Sequence, residues 1–141
     1  MIDVAAKKVA VIGGGSFGTA LVKIFSANQG HCFWWMHNEE SALHLMQFHH
    51  NPRYLSAVRF DPETISVFTE VSEAVKQADI VVFAIPSAFV KSVLLELMPG
   101  ALDGKIVCSA IKGIIPDENM IVGEYLRDVM SYRVAKHWCM S

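Results

Sequence analysis

The feature that most constrains this 141-residue chain is a glycine-rich segment close to its N-terminus. An apolar run, Val9 to Ile12, is mostly β-branched, which is typical of a strand buried on both faces. The pattern G-x-G-x-x-G follows directly at Gly13, Gly15 and Gly18. Beyond it, apolar side chains recur with helical spacing at Ala20, Leu21, Ile24 and Phe25. The segment therefore predicts a strand, a tight turn and an amphipathic helix.

Each glycine of this pattern has its own task in a nucleotide-binding turn. Gly13 permits the tight turn, Gly15 lets the backbone approach a pyrophosphate, and Gly18 lets the helix pack closely on the strand. The unpaired N–H groups of the helix N-terminus bind an anion without a cationic side chain. We therefore predict dinucleotide binding, and a tight turn that binds no ligand is the alternative.

The composition limits the partners of the chain. With 52% hydrophobic and 18% charged residues, it is long enough for one domain with a buried core. A net charge of −2 gives no basic field for nucleic acid or an anionic membrane. No apolar run approaches the roughly 18 residues of a membrane span, and the N-terminus lacks the pattern of a signal peptide. These features predict a cytoplasmic protein.

Neither the cysteines nor the histidines have the spacing of a metal site. The cysteines are odd in number, and two of them, Cys32 and Cys108, lie in predicted strands, so we expect buried free thiols. The histidines His44, His49 and His50 lack an i, i+4 pair and a nearby Cys or Asp. They predict a solvated helix end, and no metal is expected.

Strands and helices alternate along the rest of the chain. Further apolar strands are predicted at 31–36, 65–68, 80–85 and 106–111. Helices are predicted after the glycine turn and at 39–48, 71–78 and 87–98, and from Pro116 with Ile121, Val122, Tyr125, Leu126 and Val129 on one face. This alternation predicts a single α/β domain, a Rossmann-type doubly wound parallel sheet with strand order 3-2-1-4-5. Cys32 and Cys108 would then be too far apart to form a disulfide.

The carboxyl end of the second predicted strand should lie at the ribose of a bound dinucleotide. An acidic residue there binds the 2′-hydroxyl of NAD, whereas a basic residue accommodates the 2′-phosphate of NADP. Glu39 or Glu40 could be the ribose acid, but both could equally be first-turn residues of the next helix. His37 could instead meet a 2′-phosphate. The choice between NAD and NADP therefore stays open.

In the predicted sheet, residues that are far apart in sequence meet at the carboxyl ends of the strands. These are the glycine turn, His37, Pro86 with Phe89, and Lys112. Lys112 could reach a cofactor ribose or a substrate phosphate, although a solvated surface lysine is the alternative. No triad, carboxylate pair or metal cluster is readable, so an enzyme of this kind would leave the difficult step, hydride transfer, to its cofactor.

Several motifs together resemble bacterial NAD(P)-dependent glycerol-3-phosphate dehydrogenase. They are the segments 11–21, 51–55, 84–87 and 109–114, in the family's order and spacing, over residues 8 to about 129. The resemblance implies interconversion of sn-glycerol 3-phosphate and dihydroxyacetone phosphate, which supplies glycerophospholipid synthesis. It places Ser16 and Phe17 at the cofactor phosphates and His37 near the adenosine ribose. Lys112 would contact both the cofactor and the small-molecule phosphate substrate.

The same resemblance implies that members of the family are longer than this sequence. In the family, an all-helical domain with the general acid/base lysine follows. We therefore expect an NAD(P)-binding Rossmann domain at 1–130, an atypical tail at 131–141 and no helical substrate domain. No catalytic residue is expected in this chain, which alone would have little turnover; homo-oligomer formation stays open. The alternatives are a free-standing nucleotide-binding regulatory module and another two-domain NAD(P) dehydrogenase.

Overall fold

Strand β1 (Val9–Ile12) lies at the centre of a parallel sheet. The computed structural model describes residues 8–28, 31–97, 100–109, 114–115 and 120–121. In this part of the chain, the other parallel strands are β2 (Cys32–Trp35), β3 (Ile65–Phe68), β4 (Ile80–Phe83) and β5 (Ile106–Ser109). Their order is β3-β2-β1-β4-β5, which confirms the predicted topology and the Rossmann-type fold class.

Helices cover both faces of this sheet. On one face, α1 (Ser16–Asn28) and α2 (Glu39–Phe48) contribute buried side chains to a single core with alternate residues of the strands. On the other face, α3 (Val71–Lys76) and α4 (Ser87–Glu96) do the same. Because side chains alternate along a strand, every residue of β1 is buried, in one core or the other. This explains the uninterrupted apolar run from which the strand was predicted.

The faces that α1 and α2 bury differ from those that their apolar periodicity predicts. Ile24 of α1 is 54% exposed, whereas its neighbour Val22 is fully buried. In α2, Leu43 is 57% exposed, and the buried residues include Ser41 and Ala42. The inward position that helical spacing predicts for Ile24 is therefore wrong, and in α2 the apolar Leu43 is exposed although the polar Ser41 is buried. The face that α2 buries carries Ser41, Ala42 and Leu45, so tertiary packing, and not the number of apolar residues on a face, sets the rotation of this helix.

The chain after β5 also departs from the prediction. Strands β6 (Ile114–Ile115) and β7 (Met120–Ile121) pair in antiparallel orientation. The predicted helix from Pro116 is therefore wrong at Ile121, because β-branched residues on both sides of the proline suit extended backbone. The rest of that helix, Lys112 and the tail at 131–141 lie outside the described residues.

The two described cysteines lie in strands on opposite sides of β1. Cys32 in β2 and Cys108 in β5 are both buried, as predicted. Within the described ranges, no helix has both the length and the apolar character needed to cross a membrane.

Candidate dinucleotide-binding site

The glycine turn between β1 and α1 contains two positions at which a side chain would collide with backbone. Gly13 has a φ of +141°, and a Cβ atom there would lie 2.2 Å from the carbonyl oxygen of Ala84. A Cβ atom at Gly18 would lie 2.4 Å from the carbonyl oxygen of Gly13. At Gly15, by contrast, a Cβ atom would meet no atom of the described part of the chain within 4 Å. Gly13 and Gly18 are therefore required by the protein itself, whereas Gly15 leaves open space above the turn.

Neighbouring elements hold the backbone of this turn. The indole Nε1 of Trp34 in β2 donates to the carbonyl of Gly13 at 2.7 Å, and the Gly13 N–H donates to the carbonyl of Trp35 at 3.0 Å. From α1, the hydroxyl and the N–H of Thr19 both donate to the carbonyl of Gly15, at 2.6 and 2.9 Å. The turn is thus fixed from the sheet and from the helix before any ligand binds.

A cavity of about 610 Å³ opens at the carboxyl ends of the strands, between β1 and β4 where the strand order reverses. Ligands of doubly wound folds bind at this switch point, and the volume lies within the range of roughly 300–1,000 Å³ found for ligand pockets. The described residues that line it are Gly13, Gly14, Gly15, Trp35, Met36, His37, Asn38, Ser41, Arg53, Tyr54, Ala84, Ile85, Pro86, Phe89, Ser92, Val93 and Glu96.

The structure brings together some of the predicted site residues and not others. Gly13, Gly15, His37, Pro86 and Phe89 line the same cavity. Their role as cofactor ligands stays a prediction.

The remaining predicted residues take other places. Ser16 and Phe17 form the exposed start of α1, with Phe17 45% exposed, and neither lines the cavity. Gly18 is buried against the Gly13 carbonyl. Lys112 lies outside the described residues.

The end of β2 presents His37 and the start of α2. The His37 ring is exposed and lies 5.9 Å from the Trp35 ring, centroid to centroid. The Asn38 side chain caps α2 by accepting a hydrogen bond from the N–H of Ser41 at 2.9 Å. Glu39 and Glu40 follow in the first turn, exposed and away from the lining of the cavity. The helix dipole favours acidic residues in this first turn, and the interpretation of either residue as the ribose acid stays a prediction.

Sequence reasoning missed several lining residues, among them three on α4 and one in the loop after α2. Ser92, Val93 and Glu96 share a face of α4 with Phe89, and the spacing i, i+3, i+4, i+7 from Phe89 could have found them. Arg53 lies in the loop after α2, within one of the family-like motifs, but its place at the cavity depends on contacts that the sequence does not show.

Apart from His37, the described histidines and cysteines lie outside the lining of this cavity. His44 Nε2 and His50 Nε2 lie 3.2 Å apart, and both rings are outside the lining. In the described ranges, no three His, Cys, Asp or Glu side chains come together in a way that could hold a metal ion. Burial raises the pKa of the Cys32 thiol from its ordinary value of 9.0 to about 12, so this thiol is a poor nucleophile.

Comparison with known proteins assigns this arrangement to a family. The model of a family described as the NAD-dependent glycerol-3-phosphate dehydrogenase N-terminus matches residues 8–137. The chain belongs to this family. It corresponds to the NAD-binding N-terminal domain of glycerol-3-phosphate dehydrogenase, and the match runs past residue 130, where the sequence predicted a domain boundary.

Individual glycerol-3-phosphate dehydrogenases show the same relationship. The chain is 37% identical over 124 residues to the NAD(P)+ enzyme of Chlorobium phaeobacteroides, covering 87% of this chain and 37% of that protein. It is 34% identical over 121 residues to the enzyme of Ectopseudomonas mendocina, covering 86% and 35%. The chain thus spans about a third of the length of these relatives.

A crystal structure of glycerol-3-phosphate dehydrogenase from Coxiella burnetii has the same fold. It superposes with a TM-score of 0.81 at 20% sequence identity, over 92% of this chain and 39% of that chain. At this identity the likeness concerns the fold alone.

Proposed function

We propose that this chain binds NAD(H) or NADP(H) in the cavity at the carboxyl end of the sheet. The observation that supports this most directly is the open space above Gly15. Its neighbours Gly13 and Gly18 are required by backbone contacts, but no atom of the described residues explains a glycine at position 15. A pyrophosphate that approaches the backbone closely does explain it, because any side chain there would occupy the same space.

In this proposal, each side of the cavity has a distinct task. The turn and the N-terminus of α1, with Ser16 and Phe17, hold the pyrophosphate through backbone N–H groups. His37 lies near the adenosine ribose, and Pro86 and Phe89 form the opposite wall. Lys112, which follows β5 in the sequence, would contact both cofactor and substrate.

We further propose that the chain works within a glycerol-3-phosphate dehydrogenase, which interconverts sn-glycerol 3-phosphate and dihydroxyacetone phosphate in the cytoplasm. The nicotinamide, when bound, supplies the hydride chemistry. The residues of this chain bind and orient, and a general acid/base is expected elsewhere, so the isolated chain should have little turnover. Domain limits of 1–130 and association into homo-oligomers remain part of this proposal.

Calorimetric titration of the purified chain with NADH and NADPH tests the proposal. We expect at least one of them to bind, and circular dichroism verifies that the chain is folded. Gly15→Val should abolish binding without loss of the fold, because its branched side chain would fill the space of the pyrophosphate. Unchanged affinity in folded Gly15→Val would contradict the assignment of the turn.

A further inference from the structure

A buried amide connects the glycine turn to the loop beside the cavity. Asn51 follows α2 and is 0% exposed. Its Nδ2 donates to the carbonyl of Gly14 and to the hydroxyl oxygen of Thr19, each at 3.0 Å. Its Oδ1 accepts from the backbone N–H groups of Arg53, at 2.9 Å, and Tyr54, at 3.3 Å. The amide therefore uses both of its donor hydrogens and both acceptor positions.

The chemistry of the partners fixes the orientation of this amide. The Gly14 carbonyl can only accept a hydrogen bond, and the backbone N–H groups of Arg53 and Tyr54 can only donate one. Rotating the amide by 180° would therefore oppose like groups at all three contacts. The Thr19 hydroxyl completes the network, since it accepts from Asn51 and donates to the carbonyl of Gly15. One side chain thus fastens two segments that are far apart in sequence.

The segment held in this way brings a cation to the cavity. Arg53 is exposed and lines the cavity, on which the glycine turn presents only backbone groups. An exposed arginine on an untethered loop would lose much conformational freedom on binding a ligand. Asn51 lowers that cost because it fixes the backbone from which the Arg53 side chain starts. The planar guanidinium is well suited to a phosphate, to which it can donate two parallel hydrogen bonds.

We propose that Asn51 is a positioning residue that holds the Arg53 guanidinium beside the glycine turn, where it binds a phosphate group of the dinucleotide. The proposal rests on the proposed function. The phosphate is either the pyrophosphate, common to NADH and NADPH, or the 2′-phosphate, present only in NADPH.

Replacing the cation tests the first half of the proposal. We expect Arg53→Ala to weaken dinucleotide binding about 10-fold in calorimetric titration of the full chain. Arg59→Ala is the matched control, because Arg59 is also exposed, donates to the Phe48 carbonyl and lies outside the cavity lining. If Arg53→Ala loses affinity for both NADH and NADPH, the group that Arg53 binds is the pyrophosphate. If it loses affinity for NADPH alone, that group is the 2′-phosphate. Unchanged affinity of Arg53→Ala for both would overturn the proposal.

Asn51→Asp tests the positioning role. The carboxylate keeps an acceptor for the loop N–H groups but faces the Gly14 carbonyl with an oxygen where the amide had a donor. We expect binding to weaken about 10-fold. In an Arg53→Ala background the further loss should be below about threefold, because Asn51 acts through Arg53. If Asn51→Asp lost the same affinity in the unmodified chain and in Arg53→Ala, the role of Asn51 would be merely structural.

A variant that is destabilised outside the cavity lining tests whether a loss of stability by itself weakens dinucleotide binding. Val75→Ala removes methyl groups from the core on the α3 and α4 face, away from the cavity lining. It should lower the melting temperature and leave the dissociation constants of both dinucleotides unchanged.

Hydrogen exchange of the unmodified chain keeps the proposal testable if Asn51→Asp does not fold. The amide protons of Arg53 and Tyr54 should be protected, and addition of the tighter-binding dinucleotide should increase their protection. Exchange at unprotected rates would overturn the proposal.

Failure of the folded, unmodified chain to bind NADH and NADPH would contradict the proposed function and this inference together. Binding that is unaffected by Asn51→Asp and by Arg53→Ala would overturn the inference alone.

Discussion

At the scale of single residues, the glycines of the turn differ in what a methyl group would meet. At Gly18 it would collide with the Gly13 carbonyl, which also accepts the indole hydrogen bond of Trp34 and so cannot easily move away. At Gly15 a methyl group would enter open space. Within one motif, Gly18 is therefore required for packing and Gly15 for ligand binding, and substitutions at the two positions can distinguish these requirements.

Gly18→Ala should lower the stability of the fold, whereas Gly15→Ala should weaken dinucleotide binding. We expect Gly18→Ala to lower the free energy of unfolding by about 2–4 kcal/mol, because the backbone must shift to relieve the contact. Gly15→Ala should leave stability unchanged or slightly higher, because it reduces the freedom of the unfolded chain, but should weaken NADH binding. Urea unfolding and calorimetric titration of both variants measure the two effects. A loss of stability in Gly15→Ala would contradict this division.

The buried Cys32 thiol predicts a dependence of stability on alkaline pH. Burial raises its pKa from 9.0 to about 12, so the folded chain retains a proton that the unfolded chain releases above pH 9. The contribution of this thiol to the free energy of unfolding is complete below about pH 9 and is lost between about pH 9 and 12, at roughly 1.4 kcal/mol per pH unit. The destabilisation caused by Cys32→Ala should therefore shrink between pH 8 and pH 10.5 in denaturant unfolding. A constant difference would show that Cys32 does not titrate in this way.

At the scale of elements, the start of α2 illustrates how helix chemistry can imitate a ligand site. An acidic pair after β2 is the pattern expected of a ribose-binding carboxylate. In the structure, Asn38 caps the helix and the acidic pair Glu39 and Glu40 occupies its first turn, exposed and outside the cavity lining. Interaction with the helix dipole stabilises an acidic pair at this position whether or not a ligand contacts it.

Neutralising this pair should change stability and not binding. In the double variant Glu39→Gln, Glu40→Gln, we expect a loss of about 0.5–1 kcal/mol of unfolding free energy, because two favourable charges at the helix N-terminus disappear. The dissociation constants for NADH and NADPH should change by less than about twofold. A 10-fold weaker binding of NADH with unchanged NADPH binding would instead assign the ribose 2′-hydroxyl to one of these carboxylates.

At the scale of the whole molecule, the cavity joins the two halves of the sheet. Its lining comes from the ends of β1, β2 and β4, from α4 and from the loop after α2, so a ligand there contacts both halves at once. A ligand that binds only the folded chain raises its stability by mass action. Binding should therefore stabilise the domain as a unit.

Dinucleotide should raise the melting temperature of the chain. At a free concentration of 100 times the dissociation constant, the expected gain is about 2.7 kcal/mol, or roughly 8 °C for a domain of this size. Differential scanning calorimetry with increasing NADH or NADPH measures this shift, and Gly15→Val is the control that should show none. A shift that persists in Gly15→Val would place the binding site elsewhere.

The sequence by itself determined the parallel sheet, its strand order and the glycine turn. Buried strands are uninterrupted apolar runs, strand crossovers are right-handed, and a tight strand-to-helix turn demands glycine, so these features depend on short segments and on rules common to all chains. The convergence of Gly15, His37 and Pro86 on one cavity follows from that strand order, which places the ends of β1, β2 and β4 side by side.

Only the tertiary structure decided which helix faces are buried, that Ile121 lies in a strand, and that Arg53 reaches the cavity. The exposure of Ile24 and Leu43 depends on which face each helix turns toward the sheet, and the periodicity within a helix does not determine this. The place of Arg53 depends on the Asn51 amide, which meets Gly14 across 37 positions of sequence. Such contacts form when distant segments fold together, and the physical fit between those segments determines the site.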